Sequence, residues 1–225
     1  MKALIFDAGS LISLSMNSML EELRSLRKAF NGVFLITEDI EHEIVERPIK
    51  VPKYKLNAMN LKLLINERII DFPDSLNINR KVVSTETSRV LEITNSIFNF
   101  QNRKIKIIDK GEASCLALSM ILNKKGIENL VVIDERTTRM LYEKPENLRK
   151  LLEKKLNSKI EANYKDLKLT GEFRFIRSSE LIYIAYKKGL LDINNKDYLE
   201  AALQGLKFKG CSISEEEIKT IISIA

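Results

Sequence analysis

Gly111-Glu-Ala-Ser-Cys-Leu-Ala-Leu-Ser-Met-Ile-Leu-Asn-Lys124, followed by Leu130-Val-Val-Ile133 and then Asp134-Glu135, is the stretch that decides the fold class. Its first part is apolar nearly all round, the pattern of a helix buried on every side. Its second part is an unbroken apolar run without alternation, as in a strand covered on both faces. Strands of that kind belong to parallel sheets flanked by helices.

Working outward, the same pattern recurs. Lys2-Ala-Leu-Ile-Phe6 is a short apolar run ended by Asp7, and Val33-Phe-Leu-Ile36 is another. Leu11–Ser18 and Met19–Phe30 read as helices, the second with Leu20, Leu23, Leu26 and Phe30 near helical spacing. Thr37 is placed to cap a helix over Glu38–Glu46. Lys104–Ile108 and Phe173–Arg177 read as further strands. Helices are expected over Glu135–Tyr142, Glu146–Leu156, Ser179–Lys188, Asn195–Leu206 and Ser214–Ile224. The last opens on a capping box, Ser214 with Glu217. Alternating strands and helices imply a mostly parallel sheet with helices on both faces, and ligands then bind beyond the carboxyl ends of the strands. Asp7 and Asp134 both fall on that edge.

The segment from about 47 to 103 is the least regular. It reads as a helical insertion: a helix over Lys55–Asn66 with Leu56, Met59, Leu63 and Leu64 on one side, a short strand over Arg68–Phe72, and a helix over Thr85–Phe98. That last helix sets Val90, Leu91, Thr94, Ile97 and Phe98 on one face. The stripe either packs on the chain's own sheet or serves self-association or a partner. The whole chain, 1–225, is expected to form a single domain.

With 225 residues, 44% hydrophobic and 30% charged, the composition is that of an ordinary globular chain and excludes disordered or collagen-like classes. No apolar run reaches the roughly 18–20 residues that span a bilayer, so no membrane role is expected. Asp7 interrupts the apolar N-terminal stretch and no cleavage motif follows, which argues against a leader and for a cytoplasmic location. Cys115 and Cys211 read as two buried thiols rather than a disulfide. The single histidine, His42, cannot build a His-rich metal site and reads as a surface or boundary residue. The net charge of +6 suits an anionic partner.

Acid–base or metal chemistry therefore falls to carboxylates. Asp7 ends the first strand, Glu43 lies on the helix after the second, Glu112 opens the buried helix, and Asp134 and Glu135 end the strand at Ile133. Clustered carboxylates bind hard divalent cations such as Mg²⁺ or Mn²⁺. Each position also has a plain structural use. Asp7 can cap a turn, Asp109 with Glu112 matches a capping box, and Asp134 and Glu135 can open a helix, where negative charge is favourable. Glu41 and Glu43 flank the core side of their helix equally, so spacing does not choose between them.

Four motifs together resemble the PIN-domain nuclease family, in its prokaryotic toxin or ribonuclease type. They are Leu4-Ile-Phe-Asp7-Ala-Gly-Ser-Leu-Ile12, the strand and helix from Val33 to Ile44 with its Glu43, Asp109-Lys-Gly-Glu112-Ala-Ser-Cys-Leu-Ala-Leu118, and Val131-Val-Ile-Asp134-Glu135-Arg136. Leu169-Thr-Gly171 and Ala185-Tyr-Lys-Lys-Gly-Leu-Leu191 resemble the tail of one prokaryotic subgroup. The resemblance covers roughly residues 1–46 and 104–224. It implies a three-layer α/β/α fold and a metal-dependent endoribonuclease. Asp7, Glu43, Glu112 and the Asp134/Glu135 turn would be its catalytic acids. Mg²⁺ or Mn²⁺ would be held by Asp7, Glu112 and Asp134 or Glu135. In many members the last acid sits one position further into the turn, which would make Glu135 the functional residue.

The expected partner is RNA, single-stranded or structured, gripped by cations among Lys50, Lys53, Lys55, Arg136, Arg139, Arg174 and Arg177. Two other readings stay open: a non-catalytic RNA-binding or ribosome-associated module, and the toxin half of a toxin–antitoxin pair. In the latter, the insertion would meet the antitoxin or a second copy in a homodimer.

Overall fold

The computed structural model describes residues 1–225. In chain order the elements are β1 (Lys2–Phe6), α1 (Ala8–Met16), α2 (Leu20–Ala29), β2 (Val33–Leu35), α3 (Glu38–Glu41), α4 (Lys55–Asn66), α5 (Arg80–Thr94), β3 (Phe98–Phe100), β4 (Arg103–Lys104), α6 (Lys110–Lys124), β5 (Glu128–Val132), α7 (Arg136–Glu143), α8 (Pro145–Leu156), β6 (Glu161–Ala162), β7 (Phe175–Ile176), α9 (Ser178–Lys187), α10 (Lys196–Phe208) and α11 (Glu215–Ile224). The fold is α/β, with an all-parallel sheet ordered β2-β1-β5-β7 and compatible with three α/β/α layers. Leu4 lies between Phe34 and Leu130, and Phe6 beside Val132.

This strand order places the site. The chain leaves β1 towards β2 on one side, then returns across it to β5 on the other. The crevice at the carboxyl ends of β1 and β5 is therefore the topological switch point, where open α/β sheets bind ligands. Asp7 follows β1 directly, its amide donating to Val132 O at 3.0 Å. Asp134 lies two residues past the end of β5.

The apolar runs fill the main core. Ile5, Phe6, Leu35, Val131 and Val132 are fully or almost fully buried, and so are Leu11, Leu23, Ile40, Leu118 and Leu203 on the helices around them. Burying such side chains contributes roughly 1.5–3 kcal/mol each. A second apolar cluster lies to one side, where α5, the α6 face carrying Leu116, and Leu141 and Leu148 of α7 and α8 meet a small antiparallel sheet ordered β4-β3-β6. Leu116, Leu141 and Leu148 are each 0% exposed.

Several elements differ from the sequence-based expectation. Arg68–Phe72 does not form a strand; only Asp71 makes a parallel bridge, to Leu35. The Lys104–Ile108 run is not a strand of the main sheet. Its start pairs antiparallel with β3, and Ile107 and Ile108 amides donate to the Asn95 side chain. The helix predicted from Thr85 runs instead from Arg80 to Thr94, capped by Asn79, and Phe98 opens a strand. Its apolar stripe is not an interface. Val90, Ile97 and Phe98 are at most 1% exposed, and Phe98 stacks edge-on against Tyr164 at 5.9 Å. The face left to solvent belongs to α4, where Leu56, Met59 and Leu63 are exposed while Ala58, Leu61 and Leu64 pack inward.

Candidate carboxylate site

Asp7 is buried, 7% exposed, and serves as N-cap of α1, its Oδ2 accepting from Gly9 N at 3.0 Å. It would cap a turn on any surface. Here burial, with the negative charges of Glu112 and Glu43, raises its pKa to about 7. Those two neighbours come from different elements. Repulsion among carboxylates held near one another disfavours the ionised form of each.

Glu43 reaches the site through an irregularity. The helix expected over Glu38–Glu46 is α-helical only to Glu41; His42–Glu46 winds as a π-helix and Pro48–Lys50 as a 3₁₀ turn. Inserting wider turns rotates the residues that follow, and such π segments recur at functional sites. Glu43 thereby lies against α6, with its Oε1 only 2.5 Å from where a Cβ on Gly111 would stand. Glu41 is turned elsewhere, where it feels Glu46, Glu38 and Arg80. Burial, then Asp109 and Asp39, raises the pKa of Glu43. His42 is exposed and bonds Glu46 at 2.7 Å.

Glu112 does two jobs at the start of α6. Its Oε2 accepts from Asp109 N at 2.8 Å, the backward half of the expected capping box. Its Oε1 accepts from Thr138 Oγ1 at 2.5 Å. Burial raises its pKa despite both hydrogen bonds, and Glu135 and Asp109 add to the rise. Glu135 is the N-cap of α7 and accepts from Thr138 N at 2.8 Å, so Thr138 joins Glu112 to Glu135.

Asp134 has both carboxylate oxygens engaged by Ser178. Its Oδ1 accepts from Ser178 N at 2.8 Å and its Oδ2 from Ser178 Oγ at 2.6 Å, fixing the end of β5 to the start of α9. Of the two acids in this turn, Glu135 is the one that acts on Glu112. Motif spacing singles out neither Thr138 nor Ser178. A donor three residues after the N-cap Glu135 is the one available hint for Thr138, and nothing local points to Ser178.

The neighbouring acids Asp39 and Asp109 pair with Lys110 and Lys106, whereas Asp7, Glu43 and Glu112 form no ion pair. The donors are all hard oxygens, the set that suits Mg²⁺ or Mn²⁺. As positioned, no three His, Cys, Asp or Glu side chains are close enough together to hold one metal ion. Cys115 lies below the acids, its Sγ 3.5 Å from Phe6 O, and burial pushes its thiol well above the usual range, so it is no nucleophile. Cys115 and Cys211 are both free and buried.

The cationic candidates also sort by geometry. Arg174 pairs with Glu128, and Arg177 with Glu180 and Glu217. Arg139 bonds only Ser212 Oγ, at 2.7 Å, and its Nε is buried without a partner. Lys50, Lys53 and Lys55 are exposed.

No family model, curated protein or solved structure matches this chain. No helix is long and apolar enough to cross a membrane.

Proposed function

We propose that the protein is a Mg²⁺- or Mn²⁺-dependent nuclease that hydrolyses phosphodiester bonds in RNA. The observation that carries this reading is the buried Asp7 at the switch point of the sheet, with the negative charges of Glu112 and Glu43 brought to it from two other elements and none of the three ion-paired. Folding concentrates negative charge there at a cost to stability, and a divalent cation would offset it. The choice of RNA over DNA rests on the resemblance of the motifs.

Asp7, Glu112 and Glu135 would have to draw closer together than they stand to hold the cation, with Glu43 beside them. When bound, it would neutralise phosphate charge and activate water. The chain's own residues do the positioning. The Asp7 carboxylate is fixed by the Gly9 amide, and that of Glu112 is oriented from both ends by Asp109 N and Thr138 Oγ1. Glu43 makes no ion pair and fits against Gly111, where no side chain stands in its way. Arg136 and Arg139, one and four residues beyond Glu135, stand where substrate phosphates would be held.

A second reading, a non-catalytic RNA-binding module, is favoured by the lack of three ligands already gathered for one ion. One assay separates the two. Labelled single-stranded RNA, structured RNA and DNA are incubated with the protein in Mg²⁺ or Mn²⁺, in EDTA, and with Asp7→Asn. Cleavage of RNA that needs metal and is lost in the variant supports the nuclease. RNA bound and left intact in every metal supports the module, and cleavage undiminished in excess EDTA refutes the metal mechanism.

A further inference from the structure

We propose that the groove between α7 and α8 is a binding track for a single-stranded polynucleotide, leading its backbone to the Glu135 end of the carboxylate site. The proposal deepens the nuclease reading and rests on it for the identity of the polyanion.

The groove has a volume of about 520 Å³, and its cations come from both helices: Arg136 and Arg139 from α7, Lys144 at the junction, Lys150 and Lys154 from α8. The spacing explains the convergence. Residues 136, 139, 140 and 143 share one face of α7, and 147, 150, 151 and 154 share one face of α8. Lys144 to Lys154 covers about 15 Å of helix. Glu143 is the one acid in the groove, and none of the five cations is ion-paired. By contrast, Arg149, on another face of α8, pairs with Glu146 and Glu153. A row of unpaired cations along one groove is what a polyanion would neutralise.

The groove also has apolar surface, from Met140 and from the exposed Leu151. Phosphates on the lysines and base faces on apolar side chains are the two contacts that single strands make. At its other end the groove continues past Arg136 and Arg139 into a second depression of about 500 Å³, which also holds Ser212. Arg139 is held there by its bond to Ser212, with a buried, unpartnered Nε. Arg136 immediately follows Glu135 in the chain, so this end of the track lies next to the Glu135 side of the carboxylate site. A concave track beside carboxylates favours a nucleic acid over a lipid surface.

Fluorescence anisotropy with a labelled 12-nucleotide single-stranded RNA, in EDTA over a series of KCl concentrations, tests this apart from catalysis. The wild type should bind with a steep salt dependence. Lys150→Ala/Lys154→Ala should weaken binding several-fold and reduce the slope of log K against log salt by about 1.4, near 0.7 for each phosphate no longer neutralised. Arg139→Lys should retain more affinity than Arg139→Ala. The control Lys124→Ala/Lys125→Ala removes the same charge at the far end of α6 and should change little. Equal losses in groove and control variants would overturn the track, as would a wild type that ignores RNA and binds phosphatidylserine vesicles. Because EDTA prevents turnover, failure of the cleavage assay leaves this result standing. Cleavage by groove variants with unaltered RNA affinity would reject the track and leave the nuclease.

Discussion

Thr138 Oγ1 donates to Glu112 Oε1 at 2.5 Å, joining the start of α6 to the first turn of α7. Thr138 is fully buried and its backbone amide already serves Glu135. A hydrogen bond to a charged group contributes roughly 1.5–3 kcal/mol, and losing it inside the protein leaves the carboxylate underserved. Thr138→Val should lower unfolding free energy in urea by about that amount and reduce any cleavage, while Thr138→Ser retains most of both. A valine variant as stable as wild type would show that Glu112 needs no such support.

Asp7 should make the protein less stable as pH rises. Its pKa is about 7 folded against 3.8 for a free carboxyl, so between those values the folded state holds the extra proton. Stability is then greatest below about pH 4 for this group and declines through pH 7, by about 4 kcal/mol in total. Asp7→Asn keeps an acceptor for Gly9 N and carries no charge. In metal-free buffer at pH 8 it should melt higher than wild type, and the gap should close towards pH 4. Added Mg²⁺ or Mn²⁺ should raise the melting temperature of the wild type more than that of the variant. A variant destabilised at pH 8 would contradict this account.

Asp134 should behave oppositely. Removing it strands the Ser178 amide in a buried place, a loss of about 1–3 kcal/mol for the unsatisfied donor. Asp134→Ala is therefore expected to be less stable at every pH, with Ser178→Ala showing a smaller loss because the amide bond remains. Denaturation curves for the two, beside Asp7→Asn, distinguish the acid that holds the fold from the acid that strains it. Wild-type stability in Asp134→Ala would remove the structural assignment.

Gly111 gives access to Glu43 without touching it. An added Cβ would fall 2.5 Å from Glu43 Oε1 and 3.1 Å from Ile40 Cδ1. The flexible end of the glutamate is the easier of the two to displace. Gly111→Ala should fold, with stability within about 1 kcal/mol of wild type because alanine favours a helix, while displacing the Glu43 carboxylate from its present place. Cleavage should fall at least as far as in Glu43→Gln. An alanine variant with full activity would place Glu43 outside the working site.

Much of this arrangement is local and legible in the sequence. The apolar runs at Lys2–Phe6, Val33–Ile36 and Leu130–Ile133 lie over β1, β2 and β5 because a strand covered on both faces has no polar positions to alternate. Asp7 and Asp134 lie at the carboxyl edge because each ends such a run. The cap at Ser214 with Glu217 and the Glu112 half of the Asp109 box form as spaced, since capping needs only neighbours three residues apart.

Pairing across the chain is not legible in this way. Arg68–Phe72 and Lys104–Ile108 have strand-like composition, but a strand exists only where another offers an edge, and Asp71 and Lys104 found one residue's worth or a different sheet. The stripe from Val90 to Phe98 could face solvent or core on periodicity alone; the second cluster around Leu116 and Leu148 decided it. The same holds for the acids. Which carboxylates end strands and open helices follows from hydrophobic runs and capping distances alone. Long-range packing engaged Asp134 with Ser178, joined Glu135 to Glu112 through Thr138, and brought Glu43 rather than Glu41 against Gly111. Each of those choices depends on the winding of one segment and the place of another far along the chain, which no local spacing encodes.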